Sequence, residues 1–332
     1  MLIRRVQITG GSSFTISLPK DWVRSQGIEK NSPVELNVQS DGTLLVNPNV
    51  NRGKIESSKM LDLDKMKVNP TFRLLVGAYV MGYSKITIRS ENGLPAGLLD
   101  TVTEFTQKVI GPEIIEETAN ELVIKDLLNP TKMPFEKTLE RMYILVRYMH
   151  IDAINALVND QISRIKDMEQ RDMEVDRLNW LLAHQYNIIN ESNLNHKLDL
   201  SKIDSEFYFV TGKILERIGD HSLIIAKNSK TMMEFDVPGN IKNLIADASQ
   251  ISLELLDMAM SSWFHKELEG ANETVEKIGD LKERCLAIED MSHSMDREMD
   301  RCIGRIEDSI LRTGEYSTDI AENAINYLIL RL

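Results

Sequence analysis

The stretch ILERIGDHSLIIAKN, residues 214–228, returns in altered form as ILRTGEYSTDIAEN at 310–323. Superposed, Arg217 meets Arg312, Gly219 meets Gly314, Asp220 meets Glu315 and Ser222 meets Ser317. Ile225-Ala226 meets Ile320-Ala321, and Asn228 meets Asn323. An internal repeat constrains architecture more strongly than local propensity does. It predicts two copies of a three-helix unit, over 135–232 and 238–332, joined by MEFDVPGN (233–240). Glycine inside a helix costs roughly 1 kcal/mol relative to alanine. Its recurrence at one repeat position predicts a point where a neighbouring helix comes close.

The pattern around these stretches is helical to the end of the sequence. Leu268, Ala271, Val275, Ile278, Leu281, Cys285 and Ile288 recur at threes and fours, followed by Met295, Met299, Cys302, Ile306 and Ile310. That period gives amphipathic helices packed as a bundle. The two cysteines form no CxxC pair, so they are expected to be buried free thiols rather than zinc ligands or a redox dithiol. Apolar runs such as LLVGAYVMGY (74–83) are about half the ~20 residues that span a membrane. With no apolar leader in MLIRRVQITGG, the expected location is the cytoplasm.

Upstream the periods change. Residues 1–50 read as short strands with turn chemistry: LIRRVQI (2–8), a TGGSS turn, FTISL (14–18), a short helix in PKDWVRSQ closed by Gly27, then PVELNVQ (33–39) and TLLVN (43–47) around Ser40-Asp41-Gly42. Fifty such residues bury little core alone, and a module of this size dimerises or leans on a neighbour. Residues 54–132 read as a small α/β unit, with a helix ending at Gly82, a strand in SKITIRS, a helix in PAGLLDTVTEFTQKVIG and strands in EIIEET and ELVIKD. This region shows no phosphate-cradling glycine loop and no nucleophile elbow, and nothing in the chain argues for an enzyme. The net charge is −12, against +1 for residues 1–50, which excludes a protein that coats nucleic acid along its length but not a small DNA-reading module.

Two resemblances follow from these residues. Glu216-Arg217-Ile218-Gly219-Asp220-His221-Ser222 with Ile225-Ala226, and Asp172-Met173-Glu174-Val175-Asp176-Arg177-Leu178 on the preceding helix, resemble the motifs of the PhoU family of phosphate-uptake regulators. VQITGGSSFTISLPKDW (6–22), Gly27-Ile28 and the Asp41-Gly42 hairpin resemble the AbrB/SpoVT swapped-hairpin DNA-binding domains, in which two chains interleave into one barrel. The expected fold is therefore multidomain and mainly α. It comprises a dimeric N-terminal β barrel, a small α/β middle unit and tandem three-helix bundles.

The resemblances imply sites. Positions i and i+4 share a helical face. Asp172/Asp176 and Glu216/Asp220 would then put four carboxylates on one patch, which suits hard cations. The implied cofactor is a divalent or trivalent metal ion, Fe, Mn, Mg or Zn. In the second repeat, Leu311 replaces the motif glutamate, and the matching candidates are Glu276, Asp280, Glu315 and Asp319. Arg4, Arg5, Ser12, Ser13, Lys20 and Arg24 are the DNA-contact candidates. His221 reads as a surface or supporting histidine, and Arg217 and Arg312 as ion-pair partners. The implied protein is a homodimeric regulator of phosphate uptake. It would bind operator DNA and dock on a phosphate transporter's ATPase subunit or a signalling partner. The alternative is a DNA-silent helical adaptor acting on the transporter by contact.

Overall fold

The computed structural model describes residues 3–38, 42–48, 57–66, 71–128, 133–191 and 201–332. The chain divides into two compact units, Met1–Glu56 and Ser57–Leu332.

In the first unit, β1 (Gln7–Thr9) pairs with β2 (Ser13–Thr15), Ile8 opposite Phe14. The turn between them needs left-handed backbone at Gly10 (φ 66) and Gly11 (φ 84), which glycine adopts without penalty. Helix α1 (Lys20–Ser25) ends before Gly27. β3 (Glu35–Val38) and β4 (Leu44–Asn47) form a second, separate hairpin. Ser40 and Asp41 of the expected turn, and Gln39 of the expected strand, lie outside the described residues. The first strand is shorter than the 2–8 expected from alternation: Arg4 and Arg5 precede it. None of the described residues between 3 and 48 is buried.

In the second unit, a four-stranded sheet has the order β5-β6-β8-β7. Its strands are β5 (Ser58–Asp62), β6 (Lys85–Arg89), β7 (Pro112–Glu117) and β8 (Glu121–Asp126). β5 and β6 are parallel and the other pairs antiparallel. Strand β5 is absent from the sequence reading: it lies on the sheet edge, and only Leu61 in it is buried. Helices α2 (Phe72–Val80) and α3 (Leu98–Lys108) supply Leu75, Tyr79, Val102 and Phe105 to a core with Ile88 and Leu122. Thr71 caps α2, its hydroxyl accepting from Leu74 N at 3.3 Å.

The helices that follow are α4 (Phe135–Val158), α5 (Met168–Glu191), α6 (Lys202–Met232), α7 (Gly239–His265), α8 (Leu268–Glu276), α9 (Ile278–Ser292) and α10 (Arg297–Ile329). A capping box of Ser201 and Asp204 starts α6. The first repeat is α4–α6. The second is α7–α10, its middle helix broken into α8 and α9 at Lys277, so the expected three-helix unit has four helical pieces here. Met299, Cys302, Ile306 and Ile310 are all buried on α10, as their spacing requires, and both cysteines are free and buried.

The repeats share one core, with α6 lying antiparallel to α10. Asn323 Nδ2 donates to Phe207 O at 3.1 Å and to Thr211 Oγ1 at 2.9 Å. Between α4 and α7, Arg147 makes a two-pronged contact with Asp257 at 2.8 and 2.9 Å, and Tyr143 Oη donates to the same carboxylate at 2.6 Å. The sheet is anchored to α5 by His184, which is wholly buried. Its Nδ1 lies 2.5 Å from Tyr79 O, its Nε2 lies 3.1 Å from Asp126 Oδ2, and its ring stacks on Tyr79 at 4.0 Å.

Candidate functional site

The helical candidate site is built around Gly219. A Cβ at this position would stand 3.4 Å from Val146 Cγ1 on α4, 3.5 Å from Val175 Cγ1 on α5 and 3.9 Å from Asp172 Oδ1. Three helices converge where α6 carries no side chain, and that approach brings the Asp172 carboxylate against the turn of α6 bearing Glu216 and Asp220. One turn along α5, Asp176 faces the same patch.

Three of the four carboxylates respond to their acidic neighbours. Asp176 is pushed up to about 7, by burial first and then by Asp172, Glu216 and Asp220. Asp172 is pushed up to about 6, by burial and then by Asp220, against relief from Lys227. Glu216 is raised by burial and by Asp220, with Lys213 and Arg217 opposing. Asp220, at the solvent edge, is raised by partial burial, with His221 opposing. Burial and like charge both penalise the ionised form. Among the described residues none of the four makes an ion pair within 4.0 Å, although salt bridges are numerous elsewhere in the helices.

This donor set fits a hard cation. The ligand atoms are carboxylate oxygens, they come from two facing helices, and their mutual repulsion is what a bound cation would remove. As the side chains lie, no three His, Cys, Asp or Glu among the described residues close into a ready coordination shell.

The second-repeat candidates are placed differently. Gly314 also meets a close neighbour, but that neighbour is apolar: its Cβ would collide with Leu281 Cδ2 and lie 3.2 Å from Ile278 Cδ1 and 3.4 Å from Leu255 Cδ1. Glu276 and Asp280 are exposed on either side of the break at Lys277. Glu315 is engaged by Arg312 at 2.8 Å. Asp319 is raised by burial, with Glu322 and Glu315 adding to it. His221 is half-buried, lies 5.7 Å from the Tyr316 ring and has an Nδ1 without a partner among the described residues; burial lowers its pKa. Arg217 lies over Tyr316 at 5.8 Å instead of in an ion pair among the described residues.

In the N-terminal unit, Arg4, Arg5, Ser12, Ser13, Lys20 and Arg24 are all exposed. Ser12 and Ser13 follow the glycine turn, and Lys20 and Arg24 share a face of α1. None of the four cations is ion-paired among the described residues. The same unit exposes apolar side chains that strands normally bury: Ile8 and its partner Phe14 (74% exposed), Val38 and its partner Leu44. Sequence reasoning found these cations but not His184 with Asp126, where a buried histidine pairs with a carboxylate 58 residues away.

Residues 139–229 match the family model of the PhoU domain, and residues 7–54 match that of MazE, a bacterial antitoxin described as antidote-toxin recognition. The solved structure of PhoU from Pseudomonas aeruginosa resembles this chain with a TM-score of 0.53 at 16% identity, over 60% of this chain and 96% of that one. A search of curated proteins finds no match. The chain thus carries a PhoU domain and an N-terminal MazE/AbrB-like domain on a mainly helical, multidomain fold. Among the described residues no helix is long and apolar enough to cross a membrane.

Proposed function

We propose that this protein is a cytoplasmic, dimeric regulator of phosphate uptake. Its N-terminal unit binds operator DNA, and its helical repeats sense or modulate phosphate transport through a cation held by Asp172, Asp176, Glu216 and Asp220. The observation that carries the reading is the pairing, in one chain, of a cationic hairpin unit that lacks a core with a PhoU domain bearing an unneutralised carboxylate patch. The exposed strand faces at Ile8, Phe14, Val38 and Leu44 are what a second copy would cover. Dimerisation doubles Arg4, Arg5, Lys20 and Arg24 along one DNA duplex, where phosphate contacts supply affinity and groove contacts supply sequence preference.

The cation's chemistry here is charge neutralisation. It would pull α5 and α6 together and turn a repelling acidic patch into a defined docking surface. The partner for that surface is a phosphate transporter's ATPase subunit or another signalling protein. The role is regulatory, not catalytic.

The test is DNA binding to the region upstream of phosphate-transport genes, measured across a salt series. Sequence-dependent binding is expected, with log K falling by about 0.9 per phosphate contact for each log unit of salt. Arg4→Ala with Arg5→Ala should weaken binding and flatten that slope. Binding that is absent, or indifferent to both salt and the double substitution, would leave the DNA-silent adaptor as the better account.

A further inference from the structure

At the end of α7, Lys266, an exposed residue, adopts a left-handed backbone conformation (φ 61) and lays its ammonium against a box of aromatic rings. Its Nζ lies 4.5 Å from the centroid of Tyr327, 4.9 Å from Trp263 and 5.8 Å from Tyr208. All three are within the reach of a cation–π contact. The walls come from both repeats: Tyr208 from α6, Trp263 from α7 and Tyr327 from α10.

The rings hold one another without help from the lysine. Tyr208 meets Trp263 edge-on at 5.4 Å and Tyr327 at 6.3 Å, and Trp263 lies 5.1 Å from Tyr327. Phe135 backs Tyr208 at 5.7 Å and Phe207 backs Tyr327 at 5.4 Å. All three walls are buried, and Trp263 Nε1 has no hydrogen-bond partner among the described residues. Burial, the largest influence, lowers the Lys266 pKa; Glu136 and Asp204 lend the box negative potential, and the Arg331 guanidinium opposes them. Arg331 covers Tyr327 at 3.6 Å and is paired with Asp204.

A primary ammonium is a poor guest for such a box. It is compact and strongly hydrated, and its water is lost on entry. Lys266 also pays for the left-handed backbone conformation that aims it there. A methylated ammonium is more weakly hydrated and fills three π faces better, which is how aromatic cages select quaternary amines. We propose that the Tyr208–Trp263–Tyr327 box is a binding site for methylated ammonium compounds, with Lys266 as its tethered, displaceable occupant. Because the walls belong to both repeats, exchange of guest acts on the junction between them.

The probe is tetramethylammonium chloride, titrated into the full chain against matched sodium chloride. The readout is the indole N–H resonance of Trp263, assigned with Trp263→Phe. Lys266→Gly keeps the left-handed backbone without strain, and Lys266→Gln keeps the stem without the charge. Both should show a saturable shift of this resonance, with half-saturation at least about tenfold lower than in the unsubstituted protein, whose tethered amine competes. Adding Tyr327→Leu should abolish the shift. The proposal is overturned if the resonance stays still in both lysine variants, if sodium chloride moves it equally, or if the shift survives Tyr327→Leu. Loss of the folded spectrum in both lysine variants would also overturn it, because Lys266 would then be part of the wall.

Discussion

Gly219 and Gly314 occupy the same place in the two repeats and face different chemistry. Each removes a side chain where a neighbouring helix comes near. Beside Gly219 the neighbours are Val146, Val175 and the Asp172 carboxylate; beside Gly314 they are Leu281, Ile278 and Leu255. The first repeat uses the close approach to gather acids, and the second uses it to pack leucine and isoleucine. Around the first glycine two carboxylates are pushed up to about 6 and about 7. Around the second, Glu315 is neutralised by Arg312. A duplicated backbone geometry thus supports a charged patch in one copy and a dry contact in the other.

The sharpest way to break this contrast is by cation-linked stability. Manganese at a hundredfold excess over its dissociation constant should stabilise the protein by about 2.7 kcal/mol in urea unfolding. Asp172→Asn with Asp220→Asn should lose that gain, while Glu276→Gln with Glu315→Gln should keep it. The opposite pattern would put the cation in the wrong repeat.

The pH dependence gives a smaller effect of definite sign. Asp172 and Asp176 hold protons more tightly when folded than at their ordinary 3.8. The folded state therefore binds more protons than the unfolded chain between about pH 4 and 7, and stability falls as pH rises through that window. Without metal, the loss should be about 1–2 kcal/mol after discounting for solvent screening. Asp176→Asn should remove most of it, and a pH-independent stability across this window would deny the coupling. Bound metal should reverse the trend, since protons compete with it below pH 7.

The glycines themselves differ least. Gly314→Ala forces a methyl into the buried Leu281 side chain and should cost about 1–2 kcal/mol through overpacking. Gly219→Ala meets ordinary contact distances, and the helix-propensity gain should hold its effect within about 0.5 kcal/mol of zero or make it stabilising. Equal losses in urea melts would mean that the two contacts are alike.

Much of this was legible in the sequence because it rests on period. The helical repeat, the buried stripe of Met299, Cys302, Ile306 and Ile310, and the i, i+4 acid pairs are all spacing rules written along one element. What the sequence did not disclose depends on meetings between distant segments. Strand β5 has one buried residue and acquires its identity from pairing with β6. The break at Lys277 interrupts a period that continues on both sides of it. His184 with Asp126, and Lys266 among Tyr208, Trp263 and Tyr327, join residues whose proximity no window of sequence contains. The second-repeat acids were found by repeat position, which does not disclose that Leu281 fills the space beside Gly314.

The most direct test is the metal content of the purified protein after exposure to manganese and removal of the excess. The account predicts bound metal in the unsubstituted chain and in Glu276→Ala with Glu315→Ala, and its loss in Asp172→Ala with Asp220→Ala. Unchanged metal content in the Asp172 and Asp220 variant would contradict it.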